Sequence, residues 1–220
     1  FFIIIVIFFL HFEQNILRVV INMLYKTHLE IGENTLNTIE GRGRNLIDKK
    51  SFLKGNVLPD ISPKYRLKKH GRKQFEEIID EKVKELSRLS SDEIINHLGK
   101  EKFSIELGVI CHFLCDFFSL PHDEEWGFKE SVTLKHVLYE KKLHKVFSKD
   151  IIIKDSYKIL GNSDYDVFFK NALKKYRDVY GHRNDLFFAM YLNNSVVRYV
   201  LESIEENDKI NLSKEKHIAF

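Results

Sequence analysis

Only three prolines, at positions 59, 63 and 121, interrupt a 220-residue chain in which apolar side chains recur every three or four positions from Thr27 onward. That is the period of a helix, and strand-like alternation is rare, so the chain is expected to be all-α. Candidate helices are 28–40, opening behind Thr27 as N-cap, then 70–89, 92–98 behind Ser91, 104–118, 130–147, 165–180 and 184–205. Between the first two lies GRGRNLIDKKSFLKGNVLPDISPKY, whose glycines and prolines predict the principal loop of the fold. A chain of this length has apolar surface for one core, so a compact single-domain multi-helix bundle is expected over residues 23–220.

Residues 1–22 read as an apolar leader, an untranslated or signal-like segment, with Met23 as the alternative start. Its opening run, FFIIIVIFFL, is far shorter than the roughly 20 residues that span a bilayer, and no transmembrane anchor is expected. The expected localisation is secreted if the run is a signal-peptide remnant and cytoplasmic otherwise. A content of 44% hydrophobic and 30% charged residues excludes disorder and a multi-span membrane protein, and a net charge of +3 selects no partner. The basic run Lys64, Arg66, Lys68, Lys69, Arg72, Lys73 reads as a solvated face. Cys111 and Cys115 lie one helical turn apart, where a disulfide would distort the helix, and read as small core side chains.

The stretch ICHFLCDFFSLPH carries most of the chemistry. His112 and Asp116, four apart, project from one helix face about 6 Å from each other, close enough to hold one ion. His136 and Glu140 repeat the spacing on the next helix, and His122 follows Pro121 between the pairs, giving H-x3-D-x5-H-x13-H-x3-E. Carboxylates alternating with imidazoles suit zinc, and five such groups exceed the needs of one tetrahedral ion. Either pair alone is explained by an ion pair. Both together, among apolar neighbours such as Phe113, Phe117 and Leu138, would leave buried charge that metal ligation neutralises.

This string resembles the core motif of the bacterial zinc-dependent phospholipase C family, in the superfamily that also holds single-strand nucleases. His28 in KTHLEI, Asp60 in GNVLPDISP and His70 in LKKHGRK follow the family's order, so the resemblance runs from Thr27 to Glu140. It implies a helical domain with a metal cleft of two or three zinc ions: one held by Asp60, His70, His112 and Asp116, another by His122, His136 and Glu140. A third would use His28 and share Asp116 as a bridge. In secreted members that ion also takes the amine and carbonyl of an N-terminal tryptophan. No tryptophan precedes His28 here, and the third site therefore expects a chain beginning between about residue 15 and Met23.

The implied reaction is cleavage of a glycerophospholipid, at a membrane or micelle surface, into diacylglycerol and a phosphorylated headgroup by a monomeric enzyme. The expected nucleophile is a zinc-bridged hydroxide, with Asp116 as the bridging catalytic residue and Asp60 as the alternative general base. Ile61 and Leu67 stand where choline-preferring members carry aromatics, which leaves the headgroup open. The rivals are a single-strand-specific zinc nuclease and a non-catalytic zinc-binding helical protein. Nucleic acid is not favoured, because Trp126 and Phe128 offer few stacking platforms. His11, His97, His144, His182 and His217 read as terminal, surface or capping residues.

Overall fold

A computed structural model describes residues 25–62, 72–123, 134–147 and 153–218, the side chains of 72–74, 134, 136, 137 and 215–218 excepted. Among these residues every regular element is helical. The first helix, α1, occupies 25–38, and Thr27 lies buried inside it instead of capping it. The expected long loop is largely a helix: a 3-10 turn at Arg42–Leu46 leads into α2, Lys49–Ile61, whose N-cap Asp48 accepts from the Ser51 N–H at 2.8 Å. Pro59 is tolerated because it sits in the last turn of α2, where one missing donor does not propagate.

Helix α3, Arg72–Ser87, buries Phe75, Ile79, Val83 and Leu86 at the expected three-to-four spacing. Next comes α4, a short turn Ser91–Glu93 continued by the π-helical Ile94–Leu98. Its cap is Ser90, one residue earlier than expected: the Glu93 N–H donates to the Ser90 hydroxyl oxygen and the Ser90 N–H donates to Glu93 Oε2. Ser91 instead donates its N–H and hydroxyl to Asp208 at 2.8 and 2.6 Å. Ser90→Ala is expected to cost about 1 kcal/mol in urea unfolding, whereas an unchanged midpoint would mean that the box contributes nothing.

Helix α5, Lys100–Phe117, is the axis of the molecule, and every residue from Leu107 to Phe117 is buried. A helix covered on all sides needs neighbours all round, and α2, α3 and the last helix supply them. Helices α6, Leu134–Phe147, and α7, Asn162–Asp178, follow near their expected positions. The last, α8, His182–Ile218, runs 37 residues and passes well beyond the expected end at 205. Its apolar stripe stops at Ile204, which is why the pattern ended there, but the polar continuation is used: Asn207 Nδ2 donates to the carbonyls of Ser87 and Leu89, and Asp208 holds Ser91. No described helix is long and apolar enough to cross a membrane.

Helices α2 and α5 cross in close contact at Gly55 and Gly108. A Cβ added to either glycine would fall on a backbone carbonyl oxygen of the opposite helix, Ile105 or Phe52, and would come within 2.9 Å of the facing glycine Cα. The two backbones therefore touch, and only glycine fits at the contact.

Candidate metal centre

The glycine contact sets the site. One turn after Gly108, His112 is fully buried, and its Nδ1 donates to the main-chain carbonyl of Asn56, the residue after Gly55, at 2.9 Å. A carbonyl can only accept, so Nδ1 carries a proton and Nε2 is the nitrogen turned toward the neighbouring acids. That nitrogen faces Asp116 Oδ2 at 3.3 Å, one turn along α5, and Asp60 Oδ1 at 3.8 Å, one turn along α2.

Two more imidazoles reach the other oxygen of Asp116. His28 of α1 stacks on His112 with ring centroids 4.1 Å apart and brings its Nε2 to 3.5 Å from Asp116 Oδ1. His122, in the 3-10 turn Leu120–His122 behind Pro121, has its Nε2 3.8 Å from the same oxygen. Asp116 is 4% exposed and thus turns one oxygen toward His112 and the other toward His28 and His122. Glu140 of α6 is buried beside this group. A cavity of about 20 Å³, lined by His28, Asp116, Glu140 and Asp185 among others, lies between them.

The electrostatics follow from crowding acids in a buried space. Burial lowers the affinity of His112 for a proton, but Asp116 and Asp60 outweigh it and hold the imidazole up at about 9. Burial acts to raise Asp116, yet His122 and His112 keep it well below the usual carboxylate range. Glu140 is pushed up to about 8 by burial first and then by Asp116, Asp60 and Asp185. A cation placed among these acids would relieve that repulsion.

The donor set fits zinc. One ligating atom each from His28, His112 and Asp116 lies within 4.8 Å of the others. Ligands about 2.0–2.2 Å from a tetrahedral ion sit roughly 3.3–3.5 Å apart, which is the spacing of both imidazole nitrogens from the Asp116 oxygens. His28 Nδ1 and Asp60 Oδ2 are buried and make no hydrogen bond among the described residues, an expensive condition that an ion or its waters would remove.

Of the residues expected from sequence, His28, Asp60, His112, Asp116 and His122 come together, with Glu140 near them. His70 lies outside the described residues, as do Trp126, Phe128, His11, Met23 and the basic run as far as Lys69. His136 is on α6 one turn before Glu140, and its side chain is outside the description. Leu138 does not help bury the site, being 48% exposed on the far side of α6. His144 is not a bare surface residue: its Nδ1 is 3.2 Å from Glu30 Oε2, tying α6 to α1. His182 stacks on Tyr139 at 4.1 Å. Both cysteines are free and buried, and burial raises their thiols, so they remain protonated core groups.

Two contributors had no visible motif. The Asn56 carbonyl is main chain and carries no side-chain signature. Asp185 was signalled only as a lone acid at the head of the apolar run Leu186–Leu192. No curated protein and no solved structure shows a match to the chain. Residues 27–183, which include every residue of the centre except Asp185, match the family described as zinc dependent phospholipase C, and the chain belongs to that family.

Proposed function

We propose that this chain is a zinc-dependent phosphodiester hydrolase that cleaves glycerophospholipids, releasing diacylglycerol and a phosphorylated headgroup. The observation that carries the reading is the meeting of His28 and His112 at the two oxygens of Asp116, with Asp60 and His122 beside them. The proposed ligands are Asp60, His70, His112 and Asp116 for one zinc, His122, His136 and Glu140 for a second, and His28 with a shared Asp116 for a third.

Zinc, when bound, supplies a Lewis acid that polarises the phosphoryl group and acidifies water enough for it to attack near neutral pH. The chain's own residues prepare the site for that chemistry. The Asn56 carbonyl locks His112 in the tautomer that ligates through Nε2. Asp116, with its two oxygens facing different imidazoles, suits a bridging role. Asp60, whose Oδ2 has no hydrogen-bond donor among the described residues, is the proposed acceptor of the proton lost by the attacking water.

The test is metal content and turnover measured on the same preparation. After dialysis against metal-free buffer the protein is expected to retain at least two zinc ions per chain and to hydrolyse phospholipid in vesicles, and a chelator should abolish turnover. Less than one zinc per chain would remove the basis of the reading. Cleavage of single-stranded DNA without cleavage of phospholipid would replace it with the nuclease.

A further inference from the structure

Asp185 is 1% exposed, lies two residues beyond the stretch that matches the family, and comes from α8, which supplies none of the proposed ligands. Its carboxylate is nevertheless at the junction of the elements that do. The Tyr139 hydroxyl donates to Asp185 Oδ2 at 2.6 Å, and Tyr139 is the residue before Glu140. The Leu120 N–H donates to the same oxygen at 3.2 Å, and Leu120 is two residues before His122. The second oxygen, Oδ1, accepts from the Tyr176 hydroxyl of α7 at 3.0 Å.

On the other side of His122, buried Asp123 pairs with Arg177 Nε at 3.3 Å. The turn that carries His122 is thus pinned on both flanks, and one pin is shared with the helix that carries His136 and Glu140. Oxygen Oδ2 bonds both of these ligand-bearing elements.

We propose that Asp185 is a positioning residue for the zinc set His122, His136 and Glu140, fixing the spacing between the His122 turn and α6 before metal arrives. This rests on the ligand assignment proposed above. Ligands on separate elements bind an ion tightly only if their spacing is set in advance, and loss of an outer partner of a ligand typically costs 10- to 100-fold in metal affinity.

The experiment is zinc titration of the full chain against a competing chelator, for wild type, Asp185→Asn, Tyr139→Phe and Tyr176→Phe, with helix content followed by circular dichroism. Asp185→Asn and Tyr139→Phe are each expected to weaken one zinc by at least about 10-fold and leave the tighter remainder unchanged. Tyr176→Phe, which removes a more deeply buried bond to the same carboxylate that touches no ligand-bearing element, is expected to leave every zinc affinity within about 2-fold. Equal losses in the two tyrosine variants would mean that Asp185 merely supports the fold, and unchanged affinities in Tyr139→Phe would end the proposal even if Asp185→Asn fails to fold. A wild-type chain holding less than one zinc would overturn the ligand assignment and this inference together, whereas a normally loaded wild type with unaffected variants overturns the inference alone.

Discussion

Gly108→Ala is expected to destabilise the protein by about 3 kcal/mol or more. Overpacking usually costs about 1–3 kcal/mol because side chains can turn away, but here the added carbon meets the Phe52 carbonyl and the Gly55 Cα, and a helix backbone can only move as a whole. Separating the helices would also stretch the 2.9 Å bond from His112 to Asn56, so zinc binding should weaken in whatever fraction still folds. Urea unfolding reads the first effect and zinc titration the second. Gly99→Ala is the comparison: its φ of 86° strains an alanine by about 1–2 kcal/mol, but nothing lies within 4 Å of the added carbon. A Gly108→Ala midpoint equal to that of wild type would show that the two backbones are not in contact.

Asp116→Asn is expected to lower phosphodiester hydrolysis by at least about 100-fold, equivalent to about 3 kcal/mol of lost transition-state stabilisation, and to release zinc. The amide keeps the volume of the carboxylate, so helix α5 has no reason to unfold. What changes is the chemistry of one of the two oxygens, which becomes a nitrogen that cannot ligate and carries no charge. His144→Ala removes only a partly exposed pair with Glu30 and should leave the rate within a few-fold of wild type. Parallel kinetics on the two variants decide the matter: similar losses would mean that Asp116 is not a ligand shared between ions.

The parts of the fold that were legible in the sequence are those where burial is one-sided. Helix α3 shows a regular stripe, Phe75, Ile79, Val83, Leu86, and its C-terminal bound falls two residues short of expectation. Helix α2 was illegible because the meaning of a glycine or proline depends on what faces it. Gly55 reads as a breaker until Gly108 is seen across from it, and Pro59 reads as one until the helix is seen to end two residues later. The polar end of α8 was missed for the opposite reason, since its partners are main-chain carbonyls at and just beyond the end of α3 and a serine, which leave no apolar trace. At the site, spacing along one helix exposed His112 and Asp116. The stacking of His28 on His112 and the shared hydrogen bonds of Asp185 join residues more than 40 positions apart, and no local pattern encodes them.

The glycine crossing also acts as a ruler for this lineage. Gly108, His112 and Asp116 are spaced by four, so the residue that lets α5 touch α2 and the two that face the metal centre share one stripe of the helix. Inserting or deleting a single residue between them would swing everything downstream by about 100° around the axis. The imidazole would lose its carbonyl, or the contact would lose its glycine. Length changes between Gly108 and Asp116 are therefore barred to any descendant that keeps the centre.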